Sequence, residues 1–128
     1  MPDVVLRTLT NRANATLGAN PAAARNILSP AEYAAAQRSA GIGAMQYGNA
    51  IERMVAADIQ RVTGLSQVLR HVGGAGKPDF VGLGIWQNAT FDVTTFSQLS
   101  TKFPRGIPKY PDLTVIPYSR PVGVVPLP

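Results

Sequence analysis

The 128 residues include no cysteine and carry a formal net charge of +5, with twelve lysines and arginines against seven acidic residues. The lack of cysteine excludes a disulfide scaffold, a cysteine-type zinc site and a thiol nucleophile. The excess of basic over acidic residues favours a polyanionic partner, such as nucleic acid, a membrane surface or an acidic protein.

The length and the apolar pattern restrict how the chain is organised. A chain of this length is typical of one domain, here residues 1–128. No stretch of about 18 apolar residues occurs, so we expect no membrane span. Residues 1–12 contain Asp3, Arg7 and Arg12 and no long apolar run, which predicts that they are not a secretory signal peptide.

The first half of the sequence predicts helices. Alanine-rich segments at 13–25 and 30–40 contain few β-branched residues. Ser29, Pro30 and Glu32 form a helix-start signal, because the serine caps the helix, the proline suits its first position and the glutamate completes a capping box.

A second long helix is predicted to run from Met45 to Thr63 and to end at Gly64. Its apolar residues recur at helical spacing. The glycines within 40–44 are expected to separate it from the helix before. The short piece 65–71 is predicted to add one or two further helical turns.

The sequence indicates β-structure after the glycine-rich stretch 73–76. Residues 79–86 (DFVGLGIW) and 89–96 (ATFDVTTF) are strand-like runs. The pair Gln87-Asn88 between them is typical of a hairpin turn. We therefore expect two antiparallel strands in this part of the chain.

The last third contains a polar, proline-rich connection at 97–112, which can hold a short helix, and a further strand at 113–118. Pro117 predicts that this strand ends early or lies at an edge of the sheet. The helical part covers about 1–72 and the β-rich part about 73–128, and this order predicts an α+β fold.

Two carboxylates lie where carboxylates are unfavourable. Asp79 and Asp92 are each next to a phenylalanine in a strand-like run, and strand interiors disfavour aspartate. Taken singly, Asp79 is a turn residue after Pro78 and Asp92 is a capped aspartate. A hairpin would instead place the two side by side across the ladder, where they repel each other unless a cation lies between them.

A hard divalent cation, Mg²⁺ or Mn²⁺, is the usual partner of such oxygen ligands. In a basic protein, such a site indicates phosphodiester cleavage, because the cation lowers the pKa of a water and neutralises charge on the scissile phosphate. A nearby lysine would orient that water or stabilise the developing charge.

Glu52 is a third acidic residue of interest, on the second predicted helix. No basic residue lies three or four positions away to form an ion pair with it. An exposed helix glutamate and a functional carboxylate are both compatible with this position.

The order Glu52, Pro78-Asp79 and Asp92-Val93-Thr94 resembles the PD-(D/E)xK nuclease superfamily. More narrowly, the stretches KPDF, FDVTT and VIPYSRP are similar to the C-terminal nuclease domains of bacterial polymorphic toxins, such as those of contact-dependent growth inhibition systems. The resemblance covers about residues 45–121. It implies a restriction-endonuclease-like core, in which N-terminal helices precede a small mixed β-sheet. It also implies a divalent metal held by Glu52, Asp79 and Asp92.

The chain departs from this pattern at one position, where Thr94 stands in place of the motif lysine. In the superfamily this lysine can migrate to a nearby element, which makes Lys102 and Lys109 the candidates and Lys77 a third. Thr94 points to the same face of the strand as Asp92. It could hydrogen-bond a water or a phosphate there.

The resemblance implies a metal-dependent endonuclease toxin that cleaves RNA, with tRNA preferred, in the cytoplasm of a target bacterium. It also implies that the domain belongs to a larger secreted or cell-surface toxin and is neutralised by a cognate immunity protein. An acidic inhibitor would complement a cationic nuclease face. A DNase of the same fold is one alternative. A non-catalytic basic module that binds nucleic acid or another protein is the other.

Two further observations leave alternatives open. His71 is the only histidine of the chain, and a lone histidine is usually structural. Lys102, Arg105, Lys109 and Arg120 cluster in the last third, either as a solvated loop or as a surface that contacts phosphates.

Overall fold

The computed structural model describes residues 2–74, 77–96 and 113–128. Within these ranges three α-helices are followed by four β-strands, so the predicted α+β fold is confirmed. The helices are α1 Pro2–Ala19, α2 Pro30–Ala36 and α3 Ala40–Arg61, and the strands are β1 Leu69–His71, β2 Phe80–Gly82, β3 Thr90–Thr95 and β4 Leu113–Tyr118. Short 3₁₀ turns occupy Pro21–Asn26, Leu65–Gln67 and Gly84–Trp86.

The sheet is mixed, and its order follows the chain from β1 to β4. The first three strands pair antiparallel, whereas β3 and β4 pair parallel. In the described part of the sheet β4 is an edge strand, as Pro117 predicted, because an edge tolerates a residue without an N–H donor.

The helices and the sheet share one hydrophobic core. Its largest fully buried side chains come from α1, α3 and three of the strands, and they include Leu6, Leu17, Tyr47, Ile51, Leu69, Phe80 and Ile116. Burial of such side chains is the main favourable term in folding. None of the helices in the described ranges is both long enough and apolar enough to cross a membrane.

The start of α2 is the capping box that the sequence predicted. The Ser29 hydroxyl accepts a hydrogen bond from the Glu32 N–H (3.2 Å), and the Glu32 carboxylate accepts one from the Ser29 N–H (2.8 Å). Arg53 of α3 donates two further bonds of 2.7 Å to the same carboxylate. Together these bonds lower the pKa of the Glu32 carboxyl to about 2, and the bonds from Arg53 are the largest cause.

The predicted helix boundaries were wrong at two places. Residues 40–44 do not interrupt the helices but form the first turn of α3, because the Ser39 hydroxyl caps this turn by accepting a backbone hydrogen bond of 3.1 Å. Gly43 is needed there for packing, since a Cβ at this position would lie 3.0 Å from the Ala36 carbonyl oxygen. The helix predicted at 13–25 begins earlier and ends before Pro21, which cannot continue it.

The prediction of one or two helical turns at 65–71 is confirmed for its first residues and wrong for its last ones. The segment begins with a 3₁₀ turn but ends in β1, which pairs with β2 and buries Leu69 completely. Strand pairing and burial therefore override the local preference of this short piece. The β-structure accordingly begins before residue 73.

The run 79–86 is not one strand. β2 ends at Gly82, and the chain then folds back so closely that a Cβ on Gly82 would clash with the Trp86 carbonyl oxygen. Strands β2 and β3 are therefore joined by a 3₁₀ turn and a longer connection, not by a two-residue hairpin at Gln87-Asn88.

Replacing Glu32 by glutamine tests the link between α2 and α3. The folded-state pKa of about 2 lies below the ordinary value of 4.5. The ionised carboxylate therefore stabilises the fold above pH 4.5, and this contribution is lost as the pH falls towards 2. Glutamine can still complete a capping box. We expect the natural chain to have a larger free energy of unfolding than Glu32→Gln at pH 7, and we expect the difference to shrink on acidification. Urea unfolding over a pH series measures this, and a pH-independent difference would contradict it.

Candidate active site

Asp79 and Asp92 lie opposite each other where β2 and β3 meet. The antiparallel register pairs Phe80 with Phe91, so the preceding Asp79 faces Asp92 across the ladder. Asp92 Oδ1 accepts a hydrogen bond from the Asp79 N–H (3.0 Å), and Asp79 Oδ2 accepts one from the Val93 N–H (2.8 Å). The two carboxylates are therefore side by side, as the sequence predicted, and each is held by the backbone of the other strand.

These bonds explain how a buried charge is tolerated. Asp92 is only 7% exposed, and an ionised carboxylate at such a position requires hydrogen-bond donors. Backbone N–H groups supply them at fixed positions. The two aspartates thus have a structural role at the start of the β2–β3 pair, whatever chemistry they perform.

Glu52 reaches the sheet from α3 and contacts His71 at the end of β1. Glu52 Oε1 lies 2.7 Å from His71 Nε2, and the ring nitrogen is the donor because an ionised carboxylate only accepts. The His71 ring also packs against Phe80, with 5.2 Å between ring centroids. Gly73 leaves room for this pair, since a Cβ there would lie 3.1 Å from Glu52 Oε1.

Glu52, Asp79 and Thr94 line one open pocket of about 210 Å³, which we call the carboxylate pocket. One face of α3 forms its helical wall, and Tyr118 of β4 closes it on the sheet side. Asp92 does not line this pocket but lies directly behind Asp79, through the hydrogen bond to the Asp79 N–H. Of the six predicted site residues, four lie in the described ranges: three of them line this pocket, and Asp92 is hydrogen-bonded to one of these three.

Tyr118 brings a phenol to the carboxylate pocket. Burial raises the pKa of Tyr118 well above its ordinary value, and the nearby Tyr47 and Asp79 raise it further against the opposing charge of Arg120. The hydroxyl therefore keeps its proton at neutral pH. It is available as a hydrogen-bond donor at the edge of a space that two carboxylates face.

The carboxylates suit a hard cation that is completed by substrate and water. Among the residues that the structure describes, no three His, Cys, Asp or Glu side chains form a group that could hold a metal ion. Glu52 and Asp79 nevertheless line the same pocket. One or two carboxylates, with substrate phosphate and water as the other ligands, are the usual site of Mg²⁺. Glu52 and Asp79 are therefore of the ligand type that Mg²⁺ and Mn²⁺ prefer.

The predicted lysines cannot be placed at the pocket. Lys102 and Lys109 lie outside the described residues. Lys77 is described, and it is exposed on the turn between β1 and β2, where its N–H donates to the Gly74 carbonyl oxygen (3.2 Å).

The chain was compared with protein-family models, with curated proteins and with solved structures, and none of them matches it. The nuclease resemblance of the short motifs stays a prediction.

Sequence reasoning did not select two residues that the fold brings to the site. His71 was interpreted as structural, and its segment was predicted to be helical, so nothing placed it beside Glu52. Tyr118 is 4% exposed, as a core residue is, yet it also lines the pocket. A signal for His71 was available, since it follows the apolar Val68-Leu69 and precedes a glycine turn, as a strand end often does.

Substitution of Asp92 tests whether its hydrogen bond with the Asp79 N–H stabilises the fold. Asp92→Ala leaves the half-buried Asp79 N–H without this acceptor, which costs about 1 kcal/mol of the free energy of unfolding. Asp92→Asn keeps an oxygen at this position and should cost less. Chemical denaturation of both variants measures the difference. Equal stability of the alanine and asparagine variants would show that the hydrogen bond does not carry the effect.

Proposed function

We propose that this chain is a metal-dependent endonuclease toxin domain that cleaves RNA, with tRNA as the preferred substrate. The observation that carries the proposal is the carboxylate pocket, where Glu52 and Asp79 face one open space and Asp92 supports Asp79 from behind. The net charge of +5 suits a polyanionic substrate.

The metal is proposed to be Mg²⁺ or Mn²⁺, held by Glu52 and Asp79 from the pocket wall. Asp92, which the motif pattern would make a third ligand, instead accepts a hydrogen bond from the Asp79 N–H. When bound, such a cation supplies positive charge to the scissile phosphate and lowers the pKa of an attacking water. The pocket is open, which leaves space for a phosphate diester beside the carboxylates.

The protein side chains around the pocket have separate roles in this proposal. The Val93 N–H fixes the orientation of the Asp79 carboxylate (2.8 Å), and His71 fixes that of Glu52 (2.7 Å). The protonated Tyr118 and the Thr94 hydroxyl are the polar groups that can hydrogen-bond a phosphate oxygen or a water. Preorganised donors of this kind stabilise charge that develops during the reaction.

A lysine completes the proposed site. The superfamily pattern requires one near the scissile phosphate, and Lys102 or Lys109 is proposed to orient or activate the attacking water. Both belong to the basic last third of the chain.

The biological setting is proposed from the resemblance of the motifs. The domain would belong to a larger secreted or cell-surface bacterial toxin and would act in the cytoplasm of the target cell. A cognate immunity protein would block it, and an acidic one would complement the charge of the chain.

A cleavage assay with Asp79→Asn tests the proposed activity. Total tRNA and, separately, plasmid DNA are incubated with the domain in Mg²⁺ or in EDTA. Asparagine keeps an oxygen that can accept from the Val93 N–H but removes the charge. We expect tRNA cleavage that requires Mg²⁺, and a loss of at least about 100-fold in Asp79→Asn, since a catalytic metal contributes several kcal/mol.

Glu32→Gln is the matched control, because it exchanges a carboxylate for an amide away from the pocket and should cleave at the natural rate. Metal-dependent cutting of plasmid instead of tRNA would replace the proposal by the DNase alternative. If neither substrate is cut, and cell extract does not restore cutting, the proposed activity is wrong and a binding module is favoured.

Replacing His71 tests whether it positions Glu52. His71→Phe removes the donor to Glu52, whereas His71→Gln can restore a donor at a similar distance from the backbone. Loss of a hydrogen bond to a metal-ligating carboxylate typically costs 10–100-fold in metal affinity. We therefore expect Mn²⁺ binding, measured by calorimetry without substrate, to weaken by about tenfold in His71→Phe and to recover in His71→Gln. Unchanged Mn²⁺ affinity in His71→Phe would assign the histidine a structural role alone.

A further inference from the structure

A second depression lies beside the carboxylate pocket. It has a volume of about 230 Å³ and is lined by Thr95, Phe96, Tyr118, Ser119 and Arg120. We call it the flanking pocket. Tyr118 lines both pockets, so one side chain forms the wall between them.

The pairing of β3 with β4 makes the two pockets neighbours. The strands run parallel, and Thr95 pairs with Tyr118 at their last residues. Thr94 lines the carboxylate pocket, and the next residue, Thr95, lines the flanking pocket. Because Tyr118 belongs to both linings, the second pocket is the neighbouring space for a linear ligand that holds a phosphate in the first.

Arg120 gives the flanking pocket a positive charge. Arg120 lines this pocket together with Tyr118, and its charge opposes the larger effect of burial, which raises the pKa of Tyr47 and of Tyr118. No carboxylate in the described ranges forms an ion pair with Arg120. A guanidinium with no carboxylate partner is well suited to bind a phosphate, because its fork of donors matches two phosphate oxygens.

Phe96 gives the same pocket an exposed aromatic ring. Its side chain is 58% exposed, directly after the end of β3. An aromatic ring beside a cation is the usual combination in sites for single-stranded nucleic acid, where the ring stacks on a base and the cation contacts the backbone.

We propose that the flanking pocket binds the nucleotide next to the scissile phosphate of a single-stranded RNA, with Arg120 on its phosphate and Phe96 stacked on its base. The proposal rests on the proposed nuclease function and narrows its substrate. A base can stack on a protein ring only where it is released from a helix. The domain therefore cleaves in loops or other unpaired segments.

Binding measurements test this site separately from cleavage. Fluorescence anisotropy is recorded with a labelled short single-stranded oligoribonucleotide and with the same sequence in a duplex. The variants are made in the Asp79→Asn background and measured in EDTA, so that the probe stays intact. Phe96→Ala should weaken single-strand binding by about tenfold, and Phe96→Trp should restore it. Arg120→Ala should weaken binding and reduce the slope of log affinity against log salt by about 0.7.

Matched controls separate these contacts from general effects. Arg38→Ala removes the same charge from an exposed position, and Ile85→Ala truncates a side chain that is 90% exposed. If Arg120→Ala and Phe96→Ala bind like these controls, or if the duplex binds as tightly as the single strand, the flanking pocket is not a nucleotide site. If the natural chain cuts neither substrate but the variants weaken binding as expected, the nuclease function fails while the nucleotide site is supported.

Discussion

The hydrogen bonds that join Asp79 to Asp92 and to Val93 are the interactions on which the site depends. Each carboxylate accepts a backbone N–H from the opposite strand, so the two charges are fixed in direction before any ligand arrives. Backbone N–H donors cannot rotate away from the carboxylates. Holding the two carboxylates in this orientation while a ligand binds therefore costs little free energy. The same bonds secure the junction of β2 and β3, which makes the fold and the site inseparable at this point.

Helix α3 supplies the other half of the site. It packs against α1, α2 and the sheet, and its middle presents Glu52 towards β1. The contact between Glu52 and His71 joins helix α3 to β1, an outer strand of the described sheet. This arrangement places one carboxylate on a helix and one on a strand around a common space, so relative movement of the two layers would change the pocket directly.

The sequence allowed local features to be predicted where a few neighbouring residues determine the outcome. The capping box at Ser29 and Glu32, the bounds of β4 and the proximity of Asp79 to Asp92 are of this kind. The start of α3 was missed because two glycines usually break a helix, whereas here a serine cap and close packing at Gly43 outweigh them. Strand β1 was missed because three residues carry too weak a pattern, and only pairing with β2 defines it. His71 was missed for the same reason, since its role follows from a contact between distant elements.

The two outer strands of the described sheet affect whether two copies of this chain can pair through their sheet edges. β1 is only three residues long, and β4 contains Pro117, which has no N–H to offer a new partner. An exposed sheet edge is otherwise a template on which another chain can add a strand, and short edges and prolines are common protections against this. The described edges of the sheet are therefore poor templates for strand addition by another copy of the chain.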